Sequence, residues 1–373
     1  MSEETRSLKK RTPIFDYRYL LSLAISVLCA FIIGGVIMAI SGFDPFRAYG
    51  AMIEGAFGNA RHIGDFMEYA MVLCLCGLAC VLAARVGIFN VGGEGQLLLG
   101  GIFACQVGIW MQGKPMPLVI ACAALAAMAV GAAYALIPGV LKVKVKVNEV
   151  ITTIMLNTIA AYLCAFLAKG PWKNANSNLI AATEQLDVRY WFSSIISSSK
   201  LSTAIFAAAM MTFLVWYVMQ KTSKGFEMKL TGQNPRFARF SGLKTDRMVI
   251  ICMMISGAMC GLVGMFRVYG AEHLYKDSIS KDYYFEGLMV AMIAQYKPLP
   301  VIGLSIFFAI LKIGADGMQS VGVPNQIYQI IQTIVIFFMA AESGITAAMR
   351  VRSQKKKAKL AAEARLNGGA EHE

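Results

Sequence analysis

The chain has 373 residues, of which 57% are hydrophobic and only 15% are charged. A typical soluble domain carries about 25% charged residues, so this composition excludes a water-soluble globule, a disordered chain and a small disulfide-bonded scaffold. The net charge is +13. The basic residues flank apolar stretches, which is typical of membrane orientation signals and of contact with an anionic leaflet, and which argues against nucleic-acid binding.

Apolar blocks of about 20 residues, the length that a helix needs to cross the hydrocarbon layer, recur along the chain. They predict an all-α polytopic membrane protein with about ten transmembrane helices. The predicted spans lie near residues 19–41, 67–86, 92–111, 117–141, 149–168, 202–220, 248–269, 283–296, 299–315 and 327–349. The first block is too long for the apolar core of a signal peptide, so we expect no cleavable signal.

The distribution of Lys and Arg predicts that both termini are cytoplasmic, because most basic residues then fall on the inner side. This N-in, C-in topology gives a cytoplasmic N-terminal segment (1–18), a transmembrane domain (19–349) and a basic cytoplasmic tail (350–373). It also gives outer loops at 42–66 and 169–201 and a cytoplasmic loop at 221–247.

The first polar interruption of an apolar block is ARVGIFNVGGEGQLLLGG at 84–101, which contains Asn90, Glu94 and Gln96 among several glycines. A polar side chain inside a span is costly unless it pairs, lines a water path or binds a ligand. The glycines favour a broken helix of the kind that transporters place near the bilayer midplane. Close helix packing, with Glu94 paired to a neighbour, is an equally good interpretation.

A second polar residue, Asn157, lies within NEVITTIMLNTIAAYL at 148–163. An interhelical hydrogen bond and a role in a solute pathway are both open to it. A third, Glu286, begins the short block FEGLMVAMIAQ at 285–295. Its Glu-Gly step repeats that of Glu94 and Gly95, which is a faint indication of two related halves, as in inverted-repeat transporters.

The cytoplasmic loop contains GQNPRFARFSGL at 232–243, with a turn signal at Asn234 and Pro235 followed by a short amphipathic stretch. It fits either a solvated basic loop or a short helix that docks on a cytoplasmic partner. The chain has no phosphate-binding GxxxxGK[ST] motif and no metalloprotease or serine-hydrolase motif. The nine Cys lie in apolar blocks and the three His are far apart, so we expect no metal site, no bound cofactor and no enzymatic activity.

At these same segments the sequence resembles the membrane permeases of ATP-binding-cassette (ABC) importers, in the branch shared by branched-chain amino acid, ribose and nucleoside systems. The matching segments are FNVGGEGQLLLGG (89–101), NEVITTIMLN (148–157), GQNPRFARFSGL (232–243) and FEGLMVAMIAQYKPLP (285–300). The outer loops and DPFRAYGAMIEGAFG (44–58) are most similar to the nucleoside, lipoprotein-dependent subgroup. Asn148, Arg236, Phe237 and Ala294 depart from the usual pattern.

The resemblance implies a permease subunit in a bacterial cytoplasmic membrane. Its partners would be a cytoplasmic ATPase that binds ATP and Mg²⁺, a second homologous permease or a second copy of this chain, and an external substrate-binding lipoprotein. The polar groups of the substrate pathway would be Asn90, Glu94, Gln96, Asn157 and Glu286. The loop that contacts the ATPase would include Asn234, Pro235, Arg236, Arg239 and Gly242.

Two other functions compete with this interpretation. One is an ion-coupled secondary transporter of a small polar solute, in which Glu94 or Glu286 titrates. The other is an ABC permease for sugars or another solute instead of nucleosides. An ion-coupled carrier has no need of an ATPase-docking helix in the cytoplasmic loop, so that loop discriminates between the first alternative and an importer.

Overall fold

The computed structural model describes residues 17–174, 181–280, 282–324 and 326–338. The predicted basic tail, nearly all of the N-terminal segment and the last part of the predicted span 327–349 lie outside the described residues. Within the described ranges the regular structure is helical, with isolated β-bridges joining Ala182 to Lys276 and Ser194 to Ser202.

The α-helices follow one another without intervening sheet. They are α1 (Tyr17–Ile40), α2 (Pro45–Phe57), α3 (Ala60–Arg85), α4 (Gly93–Trp110), α5 (Met116–Val140), α6 (Glu149–Lys169), α7 (Ala204–Lys221), α8 (Ser223–Gln233), α9 (Pro235–Phe240), α10 (Thr245–Arg267), α11 (Tyr283–Ile293), α12 (Pro298–Ser320) and α13 (Gln326–Phe338). Single π-helical turns extend α5 through Leu141–Val145 and α10 through Val268–Glu272.

Each predicted span contains a helix, and six of the described helices are long and apolar enough to cross a membrane: α3, α5, α6, α7, α10 and α12. The chain is therefore a multi-pass helical membrane protein. Two of the predicted loops contain helices. The loop 42–66 contains α2 and the first turns of α3, and the loop 221–247 contains α8 as well as the expected short helix, α9. The side chain of Asn59 caps the N-terminus of α3, and that of Thr222 caps the N-terminus of α8. These caps explain why both helices begin inside segments that were predicted to be loops.

The chain divides into two units, one comprising Ala51–Gly317 and the other the residues before and after it. In the smaller unit, the Tyr49 hydroxyl donates to the Phe31 carbonyl oxygen at 2.6 Å and the two rings lie 5.3 Å apart. Gly34 of α1 also packs against Ile331 of α13. An aromatic anchor and a glycine contact therefore hold α1 to the start of α2 and to α13.

In the larger unit, glycines let α4, α5 and α10 pack closely against one another. A Cβ atom on Gly101 would lie 3.3 Å from the Gly264 carbonyl oxygen, and one on Gly257 would lie 3.0 Å from the backbone carbonyl carbon of Gly131. Lipid removes the hydrophobic drive between helices, so close backbone approach and van der Waals contact stabilise their association instead. This three-helix core fixes the position of the segment that precedes α4.

Candidate functional site

The segment between α3 and α4 forms a non-helical turn inside the helical core. Gly87 begins the turn at a φ of +82°, a backbone conformation that side-chain-bearing residues rarely adopt. The N-cap of α4 is Gly92, which has no side chain to cap the helix. The Asn90 Oδ1 accepts the backbone N–H of this N-cap residue at 3.1 Å, which closes the turn just before the helix. The glycine-rich sequence therefore interrupts the helical path here, which is one of the two arrangements that its glycines allowed.

Asn90 and Gln96 hydrogen-bond each other in a fully buried network. The Asn90 amide nitrogen donates to Gln96 Oε1 and to Ser256 Oγ, each at 2.9 Å. Ser256, on α10, donates in turn to the Ala79 carbonyl oxygen of α3 at 2.7 Å. The network joins the turn to two long helices, so in this conformation the two amide side chains act as interhelical links.

Glu94 lies where the N-terminal ends of α4 and α11 meet. Its carboxylate accepts the backbone N–H of Tyr284 at 3.1 Å and the hydroxyl of Ser280. The Tyr284 hydroxyl donates to the Asn90 carbonyl oxygen, and Gly93 packs directly on the Tyr284 ring. Glu94 therefore lies where two helix N-termini meet. The partial positive charge of such termini stabilises a carboxylate.

Asn157 contacts the same turn from α6. Its Oδ1 accepts the Gly95 N–H and its Nδ2 donates to the Val91 carbonyl oxygen, both at 2.9 Å. A Cβ atom on Gly95 would lie 2.8 Å from the Ala160 Cβ, so only glycine permits this approach of α4 to α6. Of the five predicted pathway residues, four thus lie around one turn.

Glu286, the fifth, lies one turn into α11 and contacts other partners. The Tyr69 hydroxyl of α3 donates to Glu286 Oε2 at 2.7 Å, and Lys312 Nζ of α12 lies 3.8 Å from Glu286 Oε1. Gly287 lets α11 approach α3, since its Cβ would lie 2.6 Å from the Cys76 Cβ. Tyr284 and Glu286 thus place α11 between the Asn90 turn and α12.

A buried ion cluster centred on Arg267 was not predicted from the sequence. Arg267, only 2% exposed, pairs through Nη1 with Glu68 Oε1 at 2.7 Å and through Nη2 with Glu272 Oε1 at 2.9 Å. Its guanidinium carbon also lies 4.9 Å from the centroid of the Tyr283 ring. The only sequence signal was an arginine near the end of an apolar block, because Glu68 is 199 residues away.

The loop that follows this cluster contains His273, whose ring stacks on Trp191 at a centroid distance of 3.7 Å. Burial lowers the pKa of His273 below the usual value, although the nearby Glu272 carboxylate acts in the opposite direction. The imidazole is therefore held in its neutral form near neutral pH. Backbone hydrogen bonds from Leu186 to His273 and from Thr183 to Tyr275 join this loop to the predicted outer loop 169–201.

On the predicted cytoplasmic side, α8 and α9 form two short helices joined at Asn234. Asn234 Oδ1 accepts the Phe237 N–H at 3.0 Å, and Pro235 occupies the first turn of α9, so the Asn-Pro signal starts a helix. Gly242, at a φ of +81°, ends α9 with a hydrogen bond to the Arg239 carbonyl oxygen. The loop therefore contains a short helix, one of the two structures that its sequence fits.

Arg239 joins α9 to the beginning of α10. Its Nε donates to Thr245 Oγ1 at 2.8 Å and its Nη2 pairs with Asp246 Oδ1 at 2.5 Å. The opposite face of α9 is apolar and exposed: Phe240 is 92% exposed and Phe237 56%. Arg236 is also exposed. Large aromatic side chains beside arginine are the residue types enriched at protein interfaces.

In the part of the chain that the structure describes, no group of three His, Cys, Asp or Glu side chains could hold a metal ion. The nine cysteines are free thiols. The polar side chains around the turn before α4 contact one another through hydrogen bonds. Spanning helices, two helix N-termini that meet around buried polar groups, and an exposed helix on the predicted cytoplasmic side are the construction of a membrane permease.

Comparisons with known proteins agree with this class. Residues 62–340 match the family model of the permease component of the branched-chain amino acid transport system, and the chain belongs to that family.

Its relatives include three permease proteins that match most of its length. The nucleoside ABC transporter permease protein NupB of Lactococcus lactis subsp. cremoris (strain MG1363) is 31% identical over 85% of this chain and 90% of the relative. The guanosine ABC transporter permease protein NupP of Bacillus subtilis (strain 168) is 31% identical over 88% of this chain and 94% of the relative. The glucose ABC transporter permease protein TsgB13 of Haloferax volcanii is 29% identical over 84% of this chain and 85% of the relative. No solved structure matches the chain significantly.

Proposed function

We propose that the chain is a permease subunit of an ABC importer that carries nucleosides across a bacterial cytoplasmic membrane. The family assignment supports an ABC permease, and the nucleoside and guanosine relatives at 31% identity support the solute class. The glucose relative at 29% identity makes a sugar the next candidate. The observation that carries the proposal is the pair of helix N-termini that meet around Glu94, with an exposed aromatic helix on the predicted inner side.

The proposed topology has ten membrane segments with both termini in the cytoplasm. Helix α4, of 18 residues, would be about 27 Å long and α11, of 11 residues, about 16 Å, against a hydrocarbon layer of about 30 Å. Helix α11 would thus cross only part of the membrane. Glu94 and Glu286 each lie in the first turn of one of these two helices, which supports an inverted repeat.

In the proposed cycle, an ATPase subunit that binds ATP and Mg²⁺ docks on α9, and this chain needs no cofactor of its own. Closure of the ATPase pair would move α9, and Arg239 would transmit the movement to α10. Helix α10 carries Ser256, which is bonded to Asn90 at the turn before α4. Helix α8 supplies a second connection, because Gly232 packs against the Arg85 carbonyl oxygen at the end of α3.

The pathway would open where α4, α6 and α11 meet. There, Asn90, Gln96 and Asn157 would exchange their present interhelical hydrogen bonds for solute contacts, while Glu94 and Glu286 accept hydrogen bonds from solute hydroxyl or amino groups. Amide and carboxylate groups suit a neutral nucleoside, which presents many donors and acceptors. A second permease, or a second copy, would complete the membrane unit, and an external lipoprotein would deliver the solute to the outer loops 42–66 and 169–201.

The proposal is tested by uptake of tritiated guanosine in a strain from which this chain has been deleted. Restoring the chain should restore uptake, and unlabelled nucleosides should compete more strongly than glucose. Glu94→Ala should abolish uptake at normal expression. Strong competition by glucose alone would transfer the assignment to sugars, and unaltered uptake by Glu94→Ala would remove Glu94 from the pathway.

Docking is tested separately with Phe240→Ala. Loss of an aromatic anchor from the centre of an interface costs about 2 kcal/mol or more, which is roughly a thirtyfold loss of affinity. The ATPase subunit should then no longer co-purify with the affinity-tagged chain. Phe46→Ala is the matched control, because Phe46 is 89% exposed on the predicted opposite side of the membrane. Equal recovery of the ATPase with both variants would contradict docking at α9.

A further inference from the structure

The polar groups of the proposed pathway do not by themselves distinguish a nucleoside from a sugar. Both solutes are neutral and present several hydroxyl groups, so amide and carboxylate side chains can bind either of them. What a nucleoside adds is a flat base, and proteins recognise the face of a base by stacking an aromatic ring on it. The tyrosines that hydrogen-bond the site, Tyr284 and Tyr69, are themselves buried. A ring with an exposed face has to come from elsewhere around the turn.

Phe89 is an exposed aromatic residue within the same turn before α4. Its side chain is 41% exposed, whereas Ile88 and Asn90 on either side of it are buried. The Asn90 amide points into the helical core, where it donates to Gln96 and Ser256. The alternation of buried and exposed residues therefore places the Phe89 ring on the outward side of the turn, directly beside four of the predicted pathway residues.

The ring of Tyr296 lies against that of Phe89. The two ring centroids are 5.9 Å apart and the ring planes meet at 62°. Such an edge-to-face contact is a favourable arrangement of aromatic rings, and it covers at most one of the two faces of each ring. Tyr296 follows the end of α11, the helix that carries Glu286 in its first turn. The aromatic pair thus joins the Asn90 turn to the far end of the helix that meets Glu94.

The backbone that positions Tyr296 is strained. Gln295 and Tyr296 have φ angles of +53° and +55°, in the left-handed region that residues with side chains rarely adopt. Hydrogen bonds hold this turn, because the Tyr296 N–H donates to the Ala291 carbonyl oxygen at 2.9 Å. Strained backbone persists where the surrounding structure imposes it, and it clusters at ligand clamps and switch regions. The strain is therefore a second, independent indication of function at this aromatic pair.

We infer that Phe89 is the surface on which the base of a nucleoside stacks in the pathway, and that Tyr296 is the ring that supports Phe89. The inference rests on the proposed function and deepens it, because it assigns the selection of nucleosides over sugars to one residue of this chain. The polar groups around the turn bind the ribose hydroxyls and the edge of the base, while Phe89 covers one face of the base. A solute without a flat ring loses this contact.

The test compares uridine with 5,6-dihydrouridine, which has the same ribose but a saturated, non-planar ring. ATP-driven transport of both is measured in proteoliposomes that hold the complete complex, at limiting concentrations of the loaded binding protein. The ratio of the two rates is compared between variants, so the preference of the binding protein itself cancels. Phe89→Leu should lower the ratio of uridine to dihydrouridine transport about tenfold, the effect of losing one stacked aromatic ring. Phe89→Tyr keeps the ring and should hold the ratio within about twofold.

A second readout uses the unaltered complex and so does not depend on the folding of a variant. On irradiation, 8-azidoguanosine, which carries its photoreactive group on the base, should label Phe89 or Tyr296, and unlabelled guanosine should prevent the labelling. Phe206→Leu, at an exposed ring of α7, is the control for the transport ratio. A ratio that falls with Phe89→Leu but not with the control, or labelling at either ring, supports the inference. Any other result overturns it, except that a complex that transports no nucleoside contradicts the proposed function instead.

Discussion

Replacing Arg267 by Met should destabilise the protein more than any single surface change, because it leaves the buried Glu68 carboxylate without its cation. Arg267 is 2% exposed and Glu68 5%. Glu272 keeps Lys276 at 2.5 Å and Lys200 at 3.7 Å, so it retains partners. Glu68 has Arg267 as its ion-pair partner in the described chain, so the penalty of the substitution falls mainly on Glu68.

The size of the effect follows from the geometry. At 2.7 Å and an effective dielectric constant of about 20, the gross attraction between Arg267 and Glu68 is about 6 kcal/mol, much of which offsets desolvation of the two ions. Removing one partner of such a buried pair typically costs about 3–5 kcal/mol. With an unfolding entropy of about 2.1 cal/mol/K per residue over the chain, this is a decrease of about 4–6 °C in the unfolding midpoint.

A thiol-reactive dye suits the assay, because seven of the nine free cysteines are buried and become reactive on unfolding. Arg267→Met should show the shift, and Arg267→Met combined with Glu68→Gln should recover most of it, since the uncompensated charge is removed. Arg189→Met, at an exposed pair with Asp187, is the control and should melt like the unaltered protein. If Arg267→Met melts normally, or if the double variant melts lower than the single one, the reasoning is refuted.

Three further predictions concern packing, coupling and pH. Gly261→Val, whose Cβ would meet the Ala127 carbonyl oxygen, should lower the unfolding midpoint by several degrees, whereas Gly303→Val, with no atom within 4 Å, should not. Asn234→Ala removes the cap of α9 and about 1 kcal/mol of its stability, so solute-stimulated ATP hydrolysis should fall about fivefold, unless α9 plays no part in coupling. The lowered pKa of His273 means that folding favours its neutral form, so this contribution is complete above about pH 6.5 and is lost as the pH falls below it. Trp191 emission, with the other tryptophans replaced, should therefore change as the pH falls below about 6.5, and His273→Gln should abolish the change.

The helices themselves were predictable because apolar blocks of membrane length leave little choice of structure. The break at Asn90 was only partly predictable, since Gly87, Gly92 and Gly93 fit either a broken helix or close helix packing. The alternatives for Asn90 and Gln96 were packing and pathway, and in this conformation both side chains bond across helices. Their part in transport stays a prediction.

The partners of the charged residues could not be predicted, because pairing across helices leaves no local pattern. Glu94 binds at Tyr284, 190 residues away, and Arg267 pairs with Glu68 across 199 residues. Lys312 is different, since a single lysine in an apolar block is a visible signal.

The central claim is that an ATPase subunit docked on α9 uses ATP to drive a solute past Glu94 and Glu286. The most direct measurement is tritiated guanosine uptake by proteoliposomes that contain the purified complex and its binding protein, with ATP enclosed on the cytoplasmic side and all ion gradients collapsed. Uptake should require ATP and should be lost with Phe240→Ala in this chain. Uptake that continues without ATP and follows an imposed proton or sodium gradient would contradict the account and indicate an ion-coupled carrier.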